Sequence, residues 1–266
     1  MTETKTFYVN LMTCGIDSTL GYLYLKSKNS DVKQYHNLYV NTGSRYTTSE
    51  LKKVIRIFEV FGSNYPEDEF LITHKILYEK FVQSILEFED AYYTNRNLLL
   101  ILIVSGIFYR TDQKAKIRIN LFNNKDDRID DGNIDYYKRI VDAGIVKNLE
   151  SIDLPLKDMS KVELGKWFID EYNNETMFPT KSDKIDFLVN GTWSCYSNEN
   201  EECLSCKACF RKSVVLANVC NYIRPHRDKE MIQKYLDDKN MHPERKAAIE
   251  LYAKFSQLGD KVNEHA

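Results

Sequence analysis

The chain has 266 residues, 43% of them hydrophobic and 12% aromatic, which is enough to bury a sizeable core and excludes a chain disordered overall. Its formal net charge of −2 gives no electrostatic case for general binding to nucleic acid or to an anionic membrane surface. The first residues lack the basic and apolar regions of a secretion signal, and the densest apolar run, Leu98 to Val104, is far shorter than the roughly 20 residues of a spanning helix; a soluble, cytoplasmic protein is expected.

Phe7 to Met12 is a continuous apolar-rich run of the kind that forms a strand buried on both faces, and residues 17–28 then read as a helix. Asn37 to Asn41 is a second short strand. Thr47-Thr48-Ser49-Glu50 fits a capping box that opens a helix, with Leu51, Val54, Ile55 and Phe58 at helical spacing. Glu69 to Thr73 is a third strand, Arg96 to Tyr109 an apolar helix, and Lys116 to Phe122 a fourth, alternating strand. Residues 134–144 read as helix, Ser151 to Leu156 as a fifth strand ended by Pro155, and Ser160-Lys161-Val162-Glu163 as a capping box opening a helix that runs to about Tyr172. Beyond Cys206 the chain reads as helices only, over 206–222, 228–237 and 243–257. Strand–helix alternation predicts an α/β fold, a Rossmann-like parallel sheet with helices on both faces, followed by a cysteine module and C-terminal helices. The expected division is 1–190, 191–222 and 223–266.

Ligands of such sheets sit at the carboxyl ends of strands. The turn after the first strand, Thr13-Cys14-Gly15-Ile16-Asp17-Ser18-Thr19, is rich in small and hydroxyl residues. It suits an anion at a helix N-terminus, where backbone N–H groups and the helix dipole favour negative charge. Asp17 would repel a phosphate directly, so it fits a Mg²⁺ or water-mediated contact better. The competing reading is a simple N-cap by Asp17 or Thr13. Neither the dinucleotide fingerprint nor the Walker loop is present.

Four of the six cysteines, Cys195, Cys203, Cys206 and Cys209, fall within fifteen residues. Four thiolates at this spacing make a closed tetrahedral site, so a structural zinc is expected, with an iron–sulfur cluster as the alternative. Cys14 and Cys220 read as ordinary thiols, although a place near a helix N-terminus would favour a reactive Cys14.

The first turn resembles the Ser-Gly-Gly-x-Asp-Ser turn of the PP-loop ATPases (the adenine nucleotide alpha hydrolase type): Gly15, Asp17 and Ser18 match, Thr13 is conservative, and Cys14 replaces a glycine. With the cysteines, the resemblance narrows to QueC, the 7-cyano-7-deazaguanine synthase family. Asn41-Thr42-Gly43-Ser44-Arg45-Tyr46 with Glu50 resembles the Asp-Tyr-Gly-Gln-Arg-His region of that family. Arg96-Asn97 resembles its Arg-Asn motif, Pro155-Leu156 with Ser160-Lys161 its Pro-Leu and lysine region, and Thr192-Trp193-Ser194-Cys195-Tyr196 its lead into the zinc cysteines. The match spans about residues 7–215. The family's Tyr-Pro-Asp-Cys-Arg segment is absent; Asp135 is the nearest counterpart in the stretch that replaces it. The departures thus gather on the substrate side.

The resemblance implies ATP, Mg²⁺ and Zn²⁺ as cofactors. It implies nucleotide contacts from Met12, Thr13, Cys14, Gly15, Ile16, Asp17, Ser18, Thr19 and Lys161. It assigns the catalytic work to Asp17, Ser18, Lys161 and Arg96, and substrate contacts to Gly43, Arg45, Arg96, Asn97 and Asp135. The implied reaction adenylates 7-carboxy-7-deazaguanine and converts it with ammonia to the amide and then the nitrile. Lys161 in a first helical turn is disfavoured by the dipole; it either faces phosphate or is a solvated surface lysine. Arg96 and Arg45 divide between ligand contact and ordinary surface charge, and Trp193 and Tyr196 between packing and stacking on a purine-like ring. Three other functions remain open. QueC-like proteins of bacterial antiviral operons, CBASS systems among them, join such an acid to an amine of a partner protein. A tRNA-modifying PP-loop enzyme and a non-catalytic zinc protein complete the set. A homodimer is expected, and no membrane partner.

Overall fold

The computed structural model describes residues 5–29, 31–41, 47–73, 96–127, 131–144, 146–195, 201–224, 226–238 and 241–263. Among them, five parallel strands form one sheet in the order β3-β2-β1-β4-β5, with β1 Thr6–Met12, β2 His36–Tyr39, β3 Glu69–Ile72, β4 Lys116–Asn120 and β5 Leu149–Asp153. The order reverses between β1 and β4, so the crevice beyond their carboxyl ends is the switch point where α/β sheets bind ligands.

Side-chain alternation divides the sheet faces between two cores. On one face Met12 and Tyr39 join a cluster with residues of α1 Ile16–Lys28, α2 Thr47–Asn64 and α5 Lys161–Asp170. On the other, Phe7, Val9, Leu38, Ile117 and Ile119 pack under α3 Arg96–Thr111 and α4 Asp131–Asp142. Helices therefore cover both faces, as the alternation predicts. Behind α5 stands α7 Lys207–Cys220, and a third cluster packs Phe210, Val214 and Ala217 of α7 against Ile232 of α8 Lys229–Leu236 and Ile249 and Tyr252 of α9 Pro243–Asn263. Gly165 lets α7 approach α5: a Cβ there would stand 2.9 Å from Val219 Cγ2. Ile249 is buried within the chain, whereas Leu251 is exposed.

The sheet carries a buried polar row. Asn10 lies opposite both Asn37 and Asn120; its amide donates to Asn37 Oδ1 at 2.8 Å and its Oδ1 accepts from Asn120 Nδ2 at 2.8 Å. Each amide answers its neighbour's demand, which is what makes three asparagines tolerable in a sheet interior.

Several boundaries differ from the sequence reading. β2 lies at His36–Tyr39 because the chain already leaves the sheet at Val40, where Asn41 N turns to Thr73 Oγ1. β4 ends at Asn120, two residues early. β5 starts at Leu149 and ends at Asp153 rather than running to Leu156, because Leu154-Pro155 begins a turn closed by Lys157 N bonding Leu154 O. α4 starts at Asp131, three residues early. α6 Lys181–Asp186 was not anticipated; Thr180 and Asp183 form its capping box, and it runs into a wide helical turn, Phe187–Gly191, closed by Thr192 N to Phe187 O. The capping box at Ser160 and Glu163 is present as predicted. Glu50, the fourth residue of the other proposed box, accepts from Tyr39 Oη at 2.8 Å.

Replacing Asn10 with Leu strands Asn37 Oδ1 and Asn120 Nδ2 at once. A loss of about 1–3 kcal/mol for each stranded group is expected from urea unfolding, and Asn10→Asp should lose at least as much at neutral pH, because its buried carboxylate still accepts from Asn120 but meets Asn37 Oδ1 acceptor to acceptor.

Candidate active site and metal centre

The turn between β1 and α1 is held by its own side chains. Ser18 Oγ accepts from Thr13 N at 3.0 Å and lies 2.8 Å from Thr13 Oγ1, which in turn accepts from Gly15 N at 3.1 Å. Gly15 stands at the N-cap of α1 without a side-chain cap, so the simple N-cap reading by Asp17 or Thr13 does not hold. Met12, Cys14, Ile16 and Thr19 are buried. Their side chains shape the turn from beneath, and what they offer the crevice is main chain. Cys14 is not among the described residues with positive φ, so the β-carbon that replaces a glycine hydrogen costs no left-handed strain. Its thiol is raised well above its ordinary range, by burial first and by Glu50 second, which argues against a reactive cysteine.

Asp17, one turn into α1, is gripped from two elements. Lys161 Nζ lies 2.5 Å from its Oδ2, and Asn124 Nδ2 donates to its Oδ1 at 2.8 Å. Lys161 is the first residue of α5, so two helix N-termini meet at this pair. The Lys161 side chain is only 15% exposed, which removes the solvated surface lysine. Asn124 belongs to the turn after β4; its Oδ1 accepts from Asp126 N at 2.9 Å, and Asp126 Oδ2 accepts from Lys161 N at 2.9 Å. Asn124 and Asp126 were not singled out from the sequence. The signal available was their place just beyond β4, on the other side of the switch point from the first turn.

The remaining sequence candidates divide. Asn97, in the first turn of α3, donates to Tyr137 Oη of α4 at 2.9 Å. Asp135 is exposed on α4. Both belong to the helical layer on the face of the sheet opposite α1 and α5, so nothing described brings them to Asp17 and Lys161. Gly43, Arg45, Tyr46, Tyr196 and the Arg96 side chain lie outside the described residues.

The sulfur ligand atoms of Cys195, Cys203, Cys206 and Cys209 all lie within 4.8 Å of one another, with Cys203 Sγ and Cys209 Sγ 4.0 Å apart. Sulfurs about 2.3 Å from one central ion in a tetrahedron stand about 3.8 Å apart, so the cage fits a single ion of zinc's size. Backbone amides already point at the sulfurs: Cys203 N to Cys195 Sγ at 3.3 Å, Ser205 N to Cys203 Sγ at 3.4 Å and Cys209 N to Cys206 Sγ at 3.5 Å. The knuckle closes through Leu204 at φ 58, an uncommon conformation for a branched residue. The crowding of Cys195 and Cys206 pushes the Cys209 thiol far up, so four thiolates at this spacing require a cation.

The cage is joined to the first turn. Trp193 N donates to Cys14 O at 2.8 Å, and Cys14 Sγ lies 3.8 Å from Trp193 O. Trp193 is buried and its indole donates to Cys195 O at 3.0 Å, so it packs against the cysteine module rather than offering a stacking face. Beneath it Lys212, fully buried on α7, donates to Val189 O at 2.9 Å and Thr192 O at 2.7 Å and pairs with Glu202 at 3.1 Å; Glu202 also accepts from Ser194 N and from Arg224. Burial pulls the Lys212 ammonium downward in pKa and Glu202 opposes it. Lys212, beside Arg211 and just ahead of the apolar run Val214–Ala217, reads in the sequence as an ordinary surface lysine, so the network left no clear sequence signal.

A parallel sheet with this strand order, a hydroxyl-rich turn at its switch point and a lysine brought to that turn from a second helix define a nucleotide-binding α/β protein of the PP-loop ATPase type. The family description of the queuosine biosynthesis protein QueC matches residues 8–219, and the chain belongs to the QueC family. That membership makes it a PP-loop ATP-dependent enzyme of nucleoside modification. No curated protein matches it significantly by sequence. Among solved structures it is similar to the U34-tRNA thiolase NcsA from Methanococcus maripaludis with its 4Fe–4S cluster, at 15% identity over 96% of this chain and 72% of that one, with a TM-score of 0.40. A likeness at that level says nothing about the chemistry of this site. Among the described residues no helix is long and apolar enough to cross a membrane.

Purified chain is expected to carry one metal ion, counted by elemental mass spectrometry, and Cys206→Ser to lose it. Removing the ion with a chelator should lower the thermal midpoint by about 2–4 °C for each kcal/mol of metal binding forfeited, read by calorimetry with and without added metal.

Proposed function

We propose that the chain uses Mg²⁺-ATP to adenylate the carboxylate of a 7-deazaguanine acid, 7-carboxy-7-deazaguanine, and passes the activated acyl group to ammonia. The observation that carries this reading is the meeting of Asp17 and Lys161 above the first turn, in a chain of the QueC family. A carboxylate oxygen attacks the α-phosphorus, the bond to the bridging oxygen breaks, and pyrophosphate leaves. Ammonia then attacks the acyl carbon, loses a proton and AMP departs, leaving the amide; a second ATP adenylates the amide oxygen, which leaves on AMP as the nitrogen gives up its protons to form the nitrile.

The residues divide this work by charge. The leaving pyrophosphate meets the main-chain N–H groups of residues 13–19, which the dipole of α1 makes attractive to anions. Thr13 Oγ1 stands on Gly15 N and Ser18 Oγ on Thr13 N, positions that phosphate oxygens take over as those hydroxyls rotate. Lys161 is paired with Asp17 in the absence of nucleotide and would be free to turn to phosphate where Asp17 held a Mg²⁺ ion instead. Such an ion would supply charge neutralisation at the phosphates. Asn124 holds the other Asp17 oxygen throughout, so the carboxylate keeps its aim. Arg96, Arg45 and Gly43 are the candidates for holding the acid. A zinc ion in the Cys195, Cys203, Cys206 and Cys209 cage has no open vertex, and its work is structural.

A second reading keeps the adenylate and changes the acceptor to an amine on a partner protein, as in the antiviral relatives. Asn41, Thr42 and Tyr46 support it, because they depart from the family pattern on the acceptor side, whereas on the nucleotide side Gly15, Asp17 and Ser18 are kept and Cys14 departs.

Chain incubated with ATP, Mg²⁺, ammonia and 7-carboxy-7-deazaguanine is expected to release AMP and pyrophosphate and to form the amide or nitrile, followed by mass spectrometry. Absence of AMP defeats the proposal, and AMP release without amide or nitrile moves the case to the second reading. Lys161→Met should lower kcat by about 10²–10³-fold, the usual cost of one donor aimed at a transition-state oxyanion, and should also lower the thermal midpoint, because it leaves the part-buried Asp17 carboxylate without its ammonium.

A further inference from the structure

The QueC match ends at Val219, yet the chain continues through α8 and α9 and returns to the active site. The return is made by the first turn of α9. Arg245 Nη1 donates to the main-chain carbonyl of Asp126 at 2.8 Å, and its guanidinium lies 5.6 Å from the Tyr235 ring centroid of α8. Asp126 is the residue whose carboxylate receives Lys161 N and whose N–H fixes the Asn124 amide. Those two side chains hold the two oxygens of Asp17. One residue, Asp126, therefore stands between Arg245 and the two residues, Asn124 and Lys161, that grip Asp17.

We propose that Arg245 is a positioning residue of the nucleotide site: by holding the Asp126 carbonyl it fixes the turn that aims Asn124 and Lys161 at Asp17. This rests on the proposed function for the identity of the ligand and goes beyond it in giving the segment after the family match a part in nucleotide binding. The neighbouring contact does not explain the geometry, since Glu244, which meets Lys125 at 2.7 Å, is 57% exposed and such a pair holds little. Arg245 is half-buried, its donor is charged, and its plane is braced by an aromatic ring, which are the conditions under which an arginine orders the main chain it contacts.

The other end of the same segment provides the control. Tyr252 Oη donates to Arg224 O at 2.8 Å within the cluster that fastens α9 to α7, and Tyr252→Phe weakens that fastening without touching the 124–127 turn.

The test compares full-length wild type, Arg245→Ala, Arg245→Lys and Tyr252→Phe. Calorimetry measures the Kd for Mg²⁺-ATP. Carbon-13 NMR of reductively methylated chain follows the Lys161 signal, assigned by its loss in Lys161→Arg. Arg245→Ala should weaken ATP binding about tenfold, the scale of one charge-assisted hydrogen bond, and move the Lys161 signal toward that of exposed lysines. Arg245→Lys should recover part of both, and Tyr252→Phe should lower only the thermal midpoint. If Arg245→Ala leaves the ATP Kd and the Lys161 signal at their wild-type values while lowering the midpoint as Tyr252→Phe does, Arg245 is a structural staple and the proposal is overturned. Should wild type itself not bind ATP, the proposed function falls, and the Lys161 signal alone decides the role of Arg245.

Discussion

The pairing of Asp17 with Lys161 joins the first turns of two helices that lie on the same face of the sheet. Neither partner is at ease alone. A lysine at a helix N-terminus faces the positive end of the dipole, and a carboxylate at a site meant for phosphate repels its ligand. Set 2.5 Å apart, each supplies the charge the other lacks. The pair is part-buried, so removing either partner leaves a charge with poor access to water. In the proposed function its value is that it can be divided: a nucleotide with its cation would offer a phosphate to the lysine and a metal to the carboxylate, so the charges would be matched in both states.

That pair would have little precision if the turn beneath it moved. Two connections stiffen it. Trp193 is bonded to Cys14, which ties the first turn to the segment entering the cysteine cage. Lys212 then gathers the Val189 and Thr192 carbonyls and Glu202 around one buried ammonium, fixing the path by which the chain leaves the wide turn at Phe187–Gly191. A buried charge so placed is costly to lose, because it answers two main-chain carbonyls and a carboxylate that Arg224 shares. Gly165, by letting α7 lie close on α5, puts the helix that carries Cys209 and Lys212 against the helix that carries Lys161. The cysteine cage and the nucleotide turn are thus two ends of one packed unit, and Cys14, a departure from the family glycine, sits at their junction without backbone strain.

What local pattern governs was legible. The β1 run, the hydroxyl-rich turn, the Ser160 capping box and the four-cysteine spacing each express a rule acting within a few residues, and each is found where the sequence places it. Strand ends were less legible. β5 differs because alternation continues into Leu154-Pro155 while the chain has already turned, and β2 differs because Asn41 bonds the Thr73 side chain just past the end of β3. α6 escaped notice because six mostly polar residues capped by Thr180 and Asp183 carry no apolar stripe.

By itself the sequence determined the fold class, the turn at the end of β1, the cysteine cage and the family resemblance, because these depend on residue type and short spacing. The tertiary structure alone decided that Lys161 faces Asp17, that Asn124 and Asp126 hold them, that Trp193 is buried against Cys14 and that Arg245 returns to the 124–127 turn. Those contacts join residues more than 80 positions apart, apart from the short link between Asp126 and Lys161. No rule of spacing reaches that far; only the crossover of the sheet at its switch point and the packing of α5, α7 and α9 bring such residues within a hydrogen bond of one another.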